Sequence, residues 1–202
     1  MVRVHHRPLV PSPRPGGPFS ASASSPPEAV VLVEGVSDQL AVEALAFRRG
    51  RDLAAERVAV VSIGGAGNIR RFLELLIPQG VRVAGLCDAG EEGDFRLAVE
   101  QAGLGADLAG AGFYVCDADL EDELIRGLGA ACVERIVEDQ GEIGRFRTFQ
   151  KQPAQRARSI EAQLRRFMGT RGGRKIQYAP LLVGALDLAR VPQPLDGVLA
   201  HV

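Results

Sequence analysis

The stretch AVVLVEGVSD at residues 29–38 decides the fold. Its first five residues form a continuous apolar run rich in β-branched side chains, which is typical of a strand buried on both faces. A helical pattern follows over residues 37–49, where Leu40, Ala41 and Ala44 fall on one face. This change from strand to helix predicts the first βα unit of a parallel sheet.

The same alternation continues along the chain. A second strand is predicted at residues 57–62, with a helix at 68–76. A third strand at 81–87 is followed by a helix at 92–102, and a fourth strand at 112–116 by a helix at 120–128. This order favours an α/β, Rossmann-like fold: a roughly four-stranded parallel sheet with right-handed connections, flanked by helices. After residue 130 only helical patterns remain, with breaks near Gly141, Pro153 and residues 169–173. We therefore expect an α/β core over residues 29–127 and a helical C-terminal extension over 128–202.

Residues 1–28 have a different composition, since they hold 7 of the 12 prolines and a serine-rich stretch. Such a density of proline interrupts regular elements and predicts a disordered leader or a misassigned start. A basic targeting arm is the alternative, although the segment carries only three arginines and one glutamate. It lacks the apolar region of a secretory signal. No apolar run is long enough to span a membrane, and the three cysteines include no CxxC pair, so we expect a cytoplasmic protein.

Histidine is nearly absent from the predicted core, which limits the possible chemistry. The three histidines of the 202-residue chain are His5, His6 and His201. A Ser-His-Asp or Cys-His unit therefore has no obvious base, and a zinc site lacks its usual ligands. Carboxylates and arginines are the groups that remain.

The two parts of the chain carry opposite net charge. Residues 29–127 contain 17 acidic and 9 basic side chains, whereas residues 128–202 contain 7 acidic and 12 basic ones. Within residues 145–175 there are ten basic side chains and one acidic residue, Glu161. Such a run is either a solvated helical face or a surface that binds a polyanion.

Carboxylates follow three of the four predicted strands at the point where each strand ends. Glu34 and Asp38 follow the first strand. Asp88, Glu91 and Glu92 follow the third strand, and Asp117, Asp119 and Glu121 follow the fourth. Ligands of parallel sheets bind beyond the carboxyl ends of the strands, and clustered carboxylates repel one another unless a cation neutralises them. Oxygen ligands of this kind favour Mg²⁺ or Mn²⁺. Each residue alone could instead complement the dipole at a helix N-terminus.

A glycine-rich loop, Gly64-Gly65-Ala66-Gly67-Asn68, follows the second predicted strand. Backbone N–H groups at Gly65 and Gly67 could bind a phosphate, or the loop could be a tight turn with Asn68 near the start of the helix. The chain has no GxxxxGK[ST] segment, which excludes the phosphate loop of an ATPase.

Taken in order, these motifs resemble a TOPRIM domain, the fold shared by type IA topoisomerases, bacterial primases and nucleases of the OLD (overcoming lysogenization defect) family. The spacing from Glu34 to Asp38 is most similar to the OLD family. Residues 62–68, Asp88, the acidic segment 119–124 and Lys175 in the segment 173–179 agree with it. The resemblance covers roughly residues 29–200.

The resemblance implies a nuclease that hydrolyses DNA phosphodiester bonds with two Mg²⁺ or Mn²⁺ ions. It implies catalytic roles for Glu34, Asp88 and Lys175. The implied metal ligands are Glu34, Asp38, Asp88, Glu91, Asp119 and Glu121. The basic run would hold the DNA backbone, and the residues predicted for this role are Arg145, Arg147, Arg171 and Arg174.

Two departures from the family keep an alternative open. The third strand of the family usually ends in DxD, whereas this chain has Asp88-Ala89-Gly90. OLD proteins also carry an ABC-type ATPase domain ahead of the TOPRIM domain, where this chain has only the leader. The alternative is therefore a weak or inactive TOPRIM module that binds nucleic acid or a separate ATPase subunit. A receiver-type domain with Asp88 as phosphoacceptor also fits the sheet but leaves Glu34 and Asp38 unexplained.

Overall fold

The computed structural model describes residues 26–202, so nearly all of the predicted leader lies outside the described residues. One sheet contains four parallel strands in the order β2-β1-β3-β4. Their bounds are Ala29–Val33 (β1), Val58–Ser62 (β2), Arg82–Cys87 (β3) and Phe113–Val115 (β4). Val33 pairs with Ser62 on one side and with Leu86 on the other, so the strands end together at one edge of the sheet. The predicted parallel sheet is confirmed.

Helices cover both faces of the sheet, as predicted. They are α1 (Val36–Arg48), α2 (Ile69–Leu76), α3 (Glu92–Gln101) and α4 (Leu120–Leu128), and each bound lies within one residue of its prediction. Because strand side chains alternate between faces, Val30 and Leu32 pack with α2 and α3, whereas Val31 and Val33 pack with α1. Cys87 and Cys116 are buried in the hydrophobic cores on opposite faces of the sheet.

The C-terminal region consists of helices packed on the α1 face. They are α5 (Ala130–Asp139), α6 (Ile143–Gln150), α7 (Ile160–Gly169), α8 (Arg174–Ala185) and α9 (Gln193–Ala200). The predicted breaks all fall between these helices, but the break at residues 186–192 was not predicted. One hydrophobic core includes Val31 of the sheet, Leu45 of α1 and Leu182 of α8. The boundary at residue 127 stays a prediction, since elements on both sides of it share this core.

Helix α8 lies parallel to α1, and this orientation positions the site. The two helices pack along their length, and Arg48 at the end of α1 donates 2.7 Å hydrogen bonds to the carbonyls of Val183 and Leu186 at the end of α8. Helix α1 starts at the carboxyl edge of the sheet, so the first turn of α8 reaches that edge too. Within residues 26–202, no helix is long and apolar enough to cross a membrane.

Candidate active site

Glu34 links the ends of three strands. Its Oε1 accepts a 2.9 Å hydrogen bond from the backbone N–H of Asp88, directly after β3. Its backbone carbonyl accepts 3.1 Å hydrogen bonds from the N–H groups of Gly64 and Gly65, which follow β2. The Glu34 side chain is therefore fixed at the centre of the carboxyl edge. Burial raises its pKa, and so does the nearby charge of Glu91, although the hydrogen bond from Asp88 acts against them.

The glycine loop has the geometry of a tight turn. Gly64 and Gly65 have φ angles of 74° and 111°, which favour glycine, and the Asn68 side chain donates a 2.9 Å hydrogen bond to the Ile63 carbonyl. The Gly65 N–H is already bound to Glu34, so it is not free for the phosphate contact predicted from the sequence. Gly67 is exposed, and its phosphate contact stays a prediction.

Asp38 and Asp88 face the same concentration of negative charge. Asp38, in the first turn of α1, accepts a 2.9 Å hydrogen bond from the Gly35 N–H at Oδ2. Burial raises the pKa of Asp38 to about 6, assisted by repulsion from Glu121 and Glu34. Burial likewise raises the pKa of Asp88 to about 7, assisted by repulsion from Glu34, Asp38, Asp119 and Glu121. We call Glu34, Asp38, Asp88, Asp119 and Glu121 the carboxylate cluster.

Two members of the cluster come from the start of α4. Asp119 is the N-cap, and its Oδ1 accepts a 2.8 Å hydrogen bond from the Asp122 N–H. Glu121, two residues further along the chain, is buried. Asp119 therefore caps α4 with one carboxylate oxygen and also belongs to the carboxylate cluster. Asp117, by contrast, is exposed and pairs with Arg126 at 2.9 Å.

Lys175, in the first turn of α8, contacts the cluster from the side. Its Nζ lies 2.7 Å from Glu121 Oε2 and 3.9 Å from Asp119 Oδ2. Burial favours the neutral amine, but the charges of Glu121, Asp119 and Asp88 outweigh it and raise the pKa of Lys175. The ammonium therefore stays charged and can act as a fixed cation, not as a base.

Arg165 of α7 is a second cation at the carboxylate cluster, and it was not among the site residues predicted from the sequence. Its Nε donates a 2.8 Å hydrogen bond to Asp119 Oδ2. The residue lies in the basic run, but charge density alone does not show which arginines face the sheet.

The four arginines predicted to bind DNA form a separate group on α6, α8 and the segment before α8. Arg147 pairs with Glu134 at 2.5 Å, and exposed Arg145 and Arg171 lie 3.3 Å and 3.9 Å from Glu142. Arg174 is only 6% exposed and makes two 3.0 Å hydrogen bonds to Glu142. The guanidinium of Arg174 is buried in an ion pair, which argues against its predicted contact with DNA, and the DNA-binding roles of Arg145, Arg147 and Arg171 stay predictions. Tyr178 donates to the same Glu142, consistent with a packing role.

The cluster suits a hard divalent cation in chemistry, although it is not closed around one. Across the described part of the chain, no three histidine, cysteine, aspartate or glutamate side chains have the spacing of a formed metal site. The Asp88 carboxylate nevertheless accepts no hydrogen bond from residues 26–202, and Glu34 and Asp38 each use one oxygen only. Unshared carboxylate oxygens that repel one another are donors of the type that Mg²⁺ or Mn²⁺ binds. Burial and the neighbouring carboxylates raise the thiol pKa of Cys87, which argues against a thiolate ligand.

Comparison with known proteins supports the resemblance noted from the sequence. Residues 28–89 match the family described as "Overcoming lysogenization defect protein-like, TOPRIM domain". No curated protein gives a significant match. Among solved structures, the C-terminal region of the Xanthomonas campestris pv. campestris OLD protein is 21% identical, with a TM-score of 0.66 over 87% of this chain and 94% of that one. The C-terminal region of the Burkholderia pseudomallei OLD protein is 17% identical, with a TM-score of 0.66 over 87% and 96%.

The match at residues 28–89 contains Glu34, Asp38 and Asp88 of the carboxylate cluster, and the structural likeness extends over most of the chain, including helices beyond the match. An OLD-like TOPRIM domain is a nuclease-like module. Both similar structures are C-terminal regions of OLD proteins, so each corresponds to one part of a longer polypeptide. Residues 28–89 therefore match the OLD-like TOPRIM domain family, and the chain has the fold of an OLD C-terminal region.

Proposed function

We propose that this chain is a nuclease that hydrolyses DNA phosphodiester bonds with Mg²⁺ or Mn²⁺ at the carboxylate cluster. One observation carries the proposal: carboxylates at the ends of β1 and β3 and at the starts of α1 and α4 lie close together, so that burial and the neighbouring charges raise the pKa of Asp38 and Asp88, and Lys175 contacts the same cluster. Such mutual repulsion is unfavourable for a fold unless a bound cation relieves it.

Glu34, Asp38 and Asp88 are the residues that would hold a first ion, because each has a carboxylate oxygen not engaged by the described residues. When bound in such sites, divalent cations lower the pKa of water and stabilise charge on the reacting phosphate oxygens. Asp119 and Glu121 are committed to Arg165 and Lys175, so a second ion would require these ion pairs to open. Glu91, whose negative charge acts on Glu34, would replace the second carboxylate of DxD.

The protein's own groups have distinct roles in this proposal. The charged Lys175 would stabilise negative charge that develops on the phosphate, because its ammonium is held at the cluster by Glu121. Glu34 would orient the β3 end through its hydrogen bond to the Asp88 N–H. The free carboxylate of Asp88 stands next to that contact and would help to hold the cation.

The loss of the DxD carboxylate favours a second candidate, a module that binds nucleic acid or a separate ATPase subunit without cleaving. Gly90 offers no ligand at this position, and the cluster is not closed around an ion. Calorimetric titration with Mn²⁺ separates the two candidates. Two binding sites are expected for the nuclease, and one or none for the module.

The direct test is nicking of supercoiled plasmid by the full chain with Mg²⁺ or Mn²⁺. Glu34→Gln removes the charge but keeps an oxygen that can accept the Asp88 N–H, so the fold is expected to persist. Glu74→Gln is the matched control, because Glu74 is 61% exposed on α2 and pairs only with Arg70 among residues 26–202. We expect metal-dependent nicking by the native chain and Glu74→Gln, and none by Glu34→Gln. Equal nicking by both variants would exclude the carboxylate cluster as the site.

A further inference from the structure

A basic cleft lies directly beside the carboxylate cluster. It is a cavity of about 430 Å³ between the start of α4, the outer face of α7 and the start of α8. Arg158, Arg165, Arg166 and Lys175 line it, together with the carboxylates of Asp119 and Asp122. A volume of this size is within the range of ligand sites, roughly 300–1,000 Å³.

The charges of this cleft are only partly compensated. Arg165 pairs with Asp119 and Lys175 with Glu121, while Asp122 pairs with Arg126 at 3.0 Å. Arg158 and Arg166 are exposed, and neither forms an ion pair with any carboxylate of residues 26–202. Arg165 engages Asp119 through Nε only, so its terminal nitrogens have no partner within the described chain. The cleft therefore presents unused cationic donors, which are the groups that bind phosphate oxygens.

The lining also indicates what kind of anion fits. Besides the charged residues it contains Ala162, Gly169 and Thr170, so it has no aromatic side chain on which a base could stack. Contacts from arginine and lysine to the backbone position a phosphate without reading a base. Because Arg165 and Lys175 contact both this cleft and Asp119, a phosphate in the cleft would lie next to the carboxylate cluster.

We propose that the cleft binds a phosphodiester group of the DNA backbone adjacent to the bond that is cleaved, with Arg158 and Arg166 as its sequence-independent contacts. This inference rests on the proposed function, since it assigns the substrate's neighbouring phosphate to that site. Within the basic run, it assigns the DNA-binding role to Arg158 and Arg166 in place of Arg145, Arg147, Arg171 and Arg174.

The test is binding of a short fluorescein-labelled DNA duplex, measured by anisotropy in EDTA at several KCl concentrations. The double variant Arg158→Gln/Arg166→Gln is compared with Arg71→Gln/Arg82→Gln, which makes the same change in net charge. Arg71 and Arg82 are exposed, have no ion pair among the described residues and lie outside the cleft. Each phosphate contact contributes about 0.9 to the slope of log K against log salt, so loss of two contacts lowers its magnitude by about 1.8.

We expect this smaller slope and a weaker affinity for the cleft variant, with the control close to the native chain. Equal effects of the two double variants would overturn the proposal, because charge in general and not the cleft would then drive binding. Absence of duplex binding by the native chain would overturn it as well. Plasmid nicking with Mg²⁺ is scored separately, so that the two proposals can fail independently. Loss of the cleft effect with intact nicking leaves the proposed nuclease standing. A cleft effect on DNA binding without nicking rejects the nuclease and the placement of the phosphate beside a cleaved bond, and retains only the cleft as a DNA-backbone contact.

Discussion

Replacing Arg174 with methionine removes the most completely buried charge of the C-terminal region. The guanidinium makes two 3.0 Å hydrogen bonds to Glu142 and 2.7 Å hydrogen bonds to the Phe167 carbonyl and the Thr170 hydroxyl. It also lies over the Phe167 ring, with Cζ 3.9 Å from the ring centroid. The hydrogen bonds from Arg174 lower the pKa of Glu142, although burial acts against this shift, so both partners are charged.

The expected loss of stability follows from what the substitution leaves behind. Methionine fills much of the volume, but Glu142, itself 7% exposed, loses its main partner. Removing one partner of a buried ion pair typically costs about 3–5 kcal/mol. For a domain of this size that corresponds to a fall in melting temperature of roughly 6–20 °C. Arg145→Met is the matched control, because Arg145 contacts the same carboxylate at 3.3 Å but is 67% exposed, where such pairs contribute about 0–1 kcal/mol.

Urea denaturation followed by circular dichroism gives the free energy of unfolding of both variants. We expect Arg174→Met/Glu142→Met to be more stable than Arg174→Met, because the second change removes the unpaired carboxylate. A cost for Arg174→Met no larger than that for Arg145→Met would refute the argument from burial. It would also reopen the sequence-based prediction that Arg174 contacts DNA.

Three further predictions concern the carboxylate edge. A Cβ at Gly90 would meet no atom within 4 Å, so Gly90→Asp should fold normally and tighten Mn²⁺ binding measured by calorimetry; an unchanged affinity would show that the missing DxD carboxylate is not limiting. The pKa of Asp88 is about 7 in the folded state against an ordinary 3.8, so the metal-free folded state binds the Asp88 proton more tightly than the unfolded state does. The free energy of unfolding therefore falls as the pH rises from about 3.8 to about 7. The melting temperature of Asp88→Asn should therefore exceed that of the native chain in EDTA more at high pH than near pH 4, and a pH-independent difference would contradict the shift. Lys175→Met should lower the single-turnover cleavage rate by roughly 10²–10³, with partial recovery in Lys175→Arg, whereas full activity of Lys175→Met would remove this cation from the mechanism.

The sheet could be predicted from sequence because its signals are local. Strand β1 is a run of five buried residues, which is too short for a helix and directly precedes the helical pattern of α1. The break at residues 186–192 was missed because Leu188 and Val191 continue an apolar pattern there, although Pro192 precedes α9. Local patterns thus fix where most elements begin and end.

The functions of adjacent cations could not be predicted in the same way. Arg174 and Lys175 are neighbours in the sequence, yet one is buried against Glu142 and the other contacts Glu121. Successive residues of a helix point about 100° apart, so the outcome depends on how α8 is rotated against α4 and α6. Arg165 and Arg166 of α7 show the same division, since only Arg165 pairs with Asp119. A count of charges contains no information on that rotation.

The opposite charges of the two parts of the chain have a physical explanation in the structure. The parts meet in the ion pairs Asp119–Arg165 and Glu121–Lys175, where helices after the sheet supply the cations. Because α8 runs parallel to α1, its first turn reaches the edge at which the strands end. The C-terminal helices therefore reduce the repulsion within the carboxylate cluster before any metal binds. This explains how the raised pKa values of Asp38 and Asp88 are compatible with a stable fold. Arg158 and Arg166, which form no ion pair among residues 26–202, remain available at the adjacent cleft.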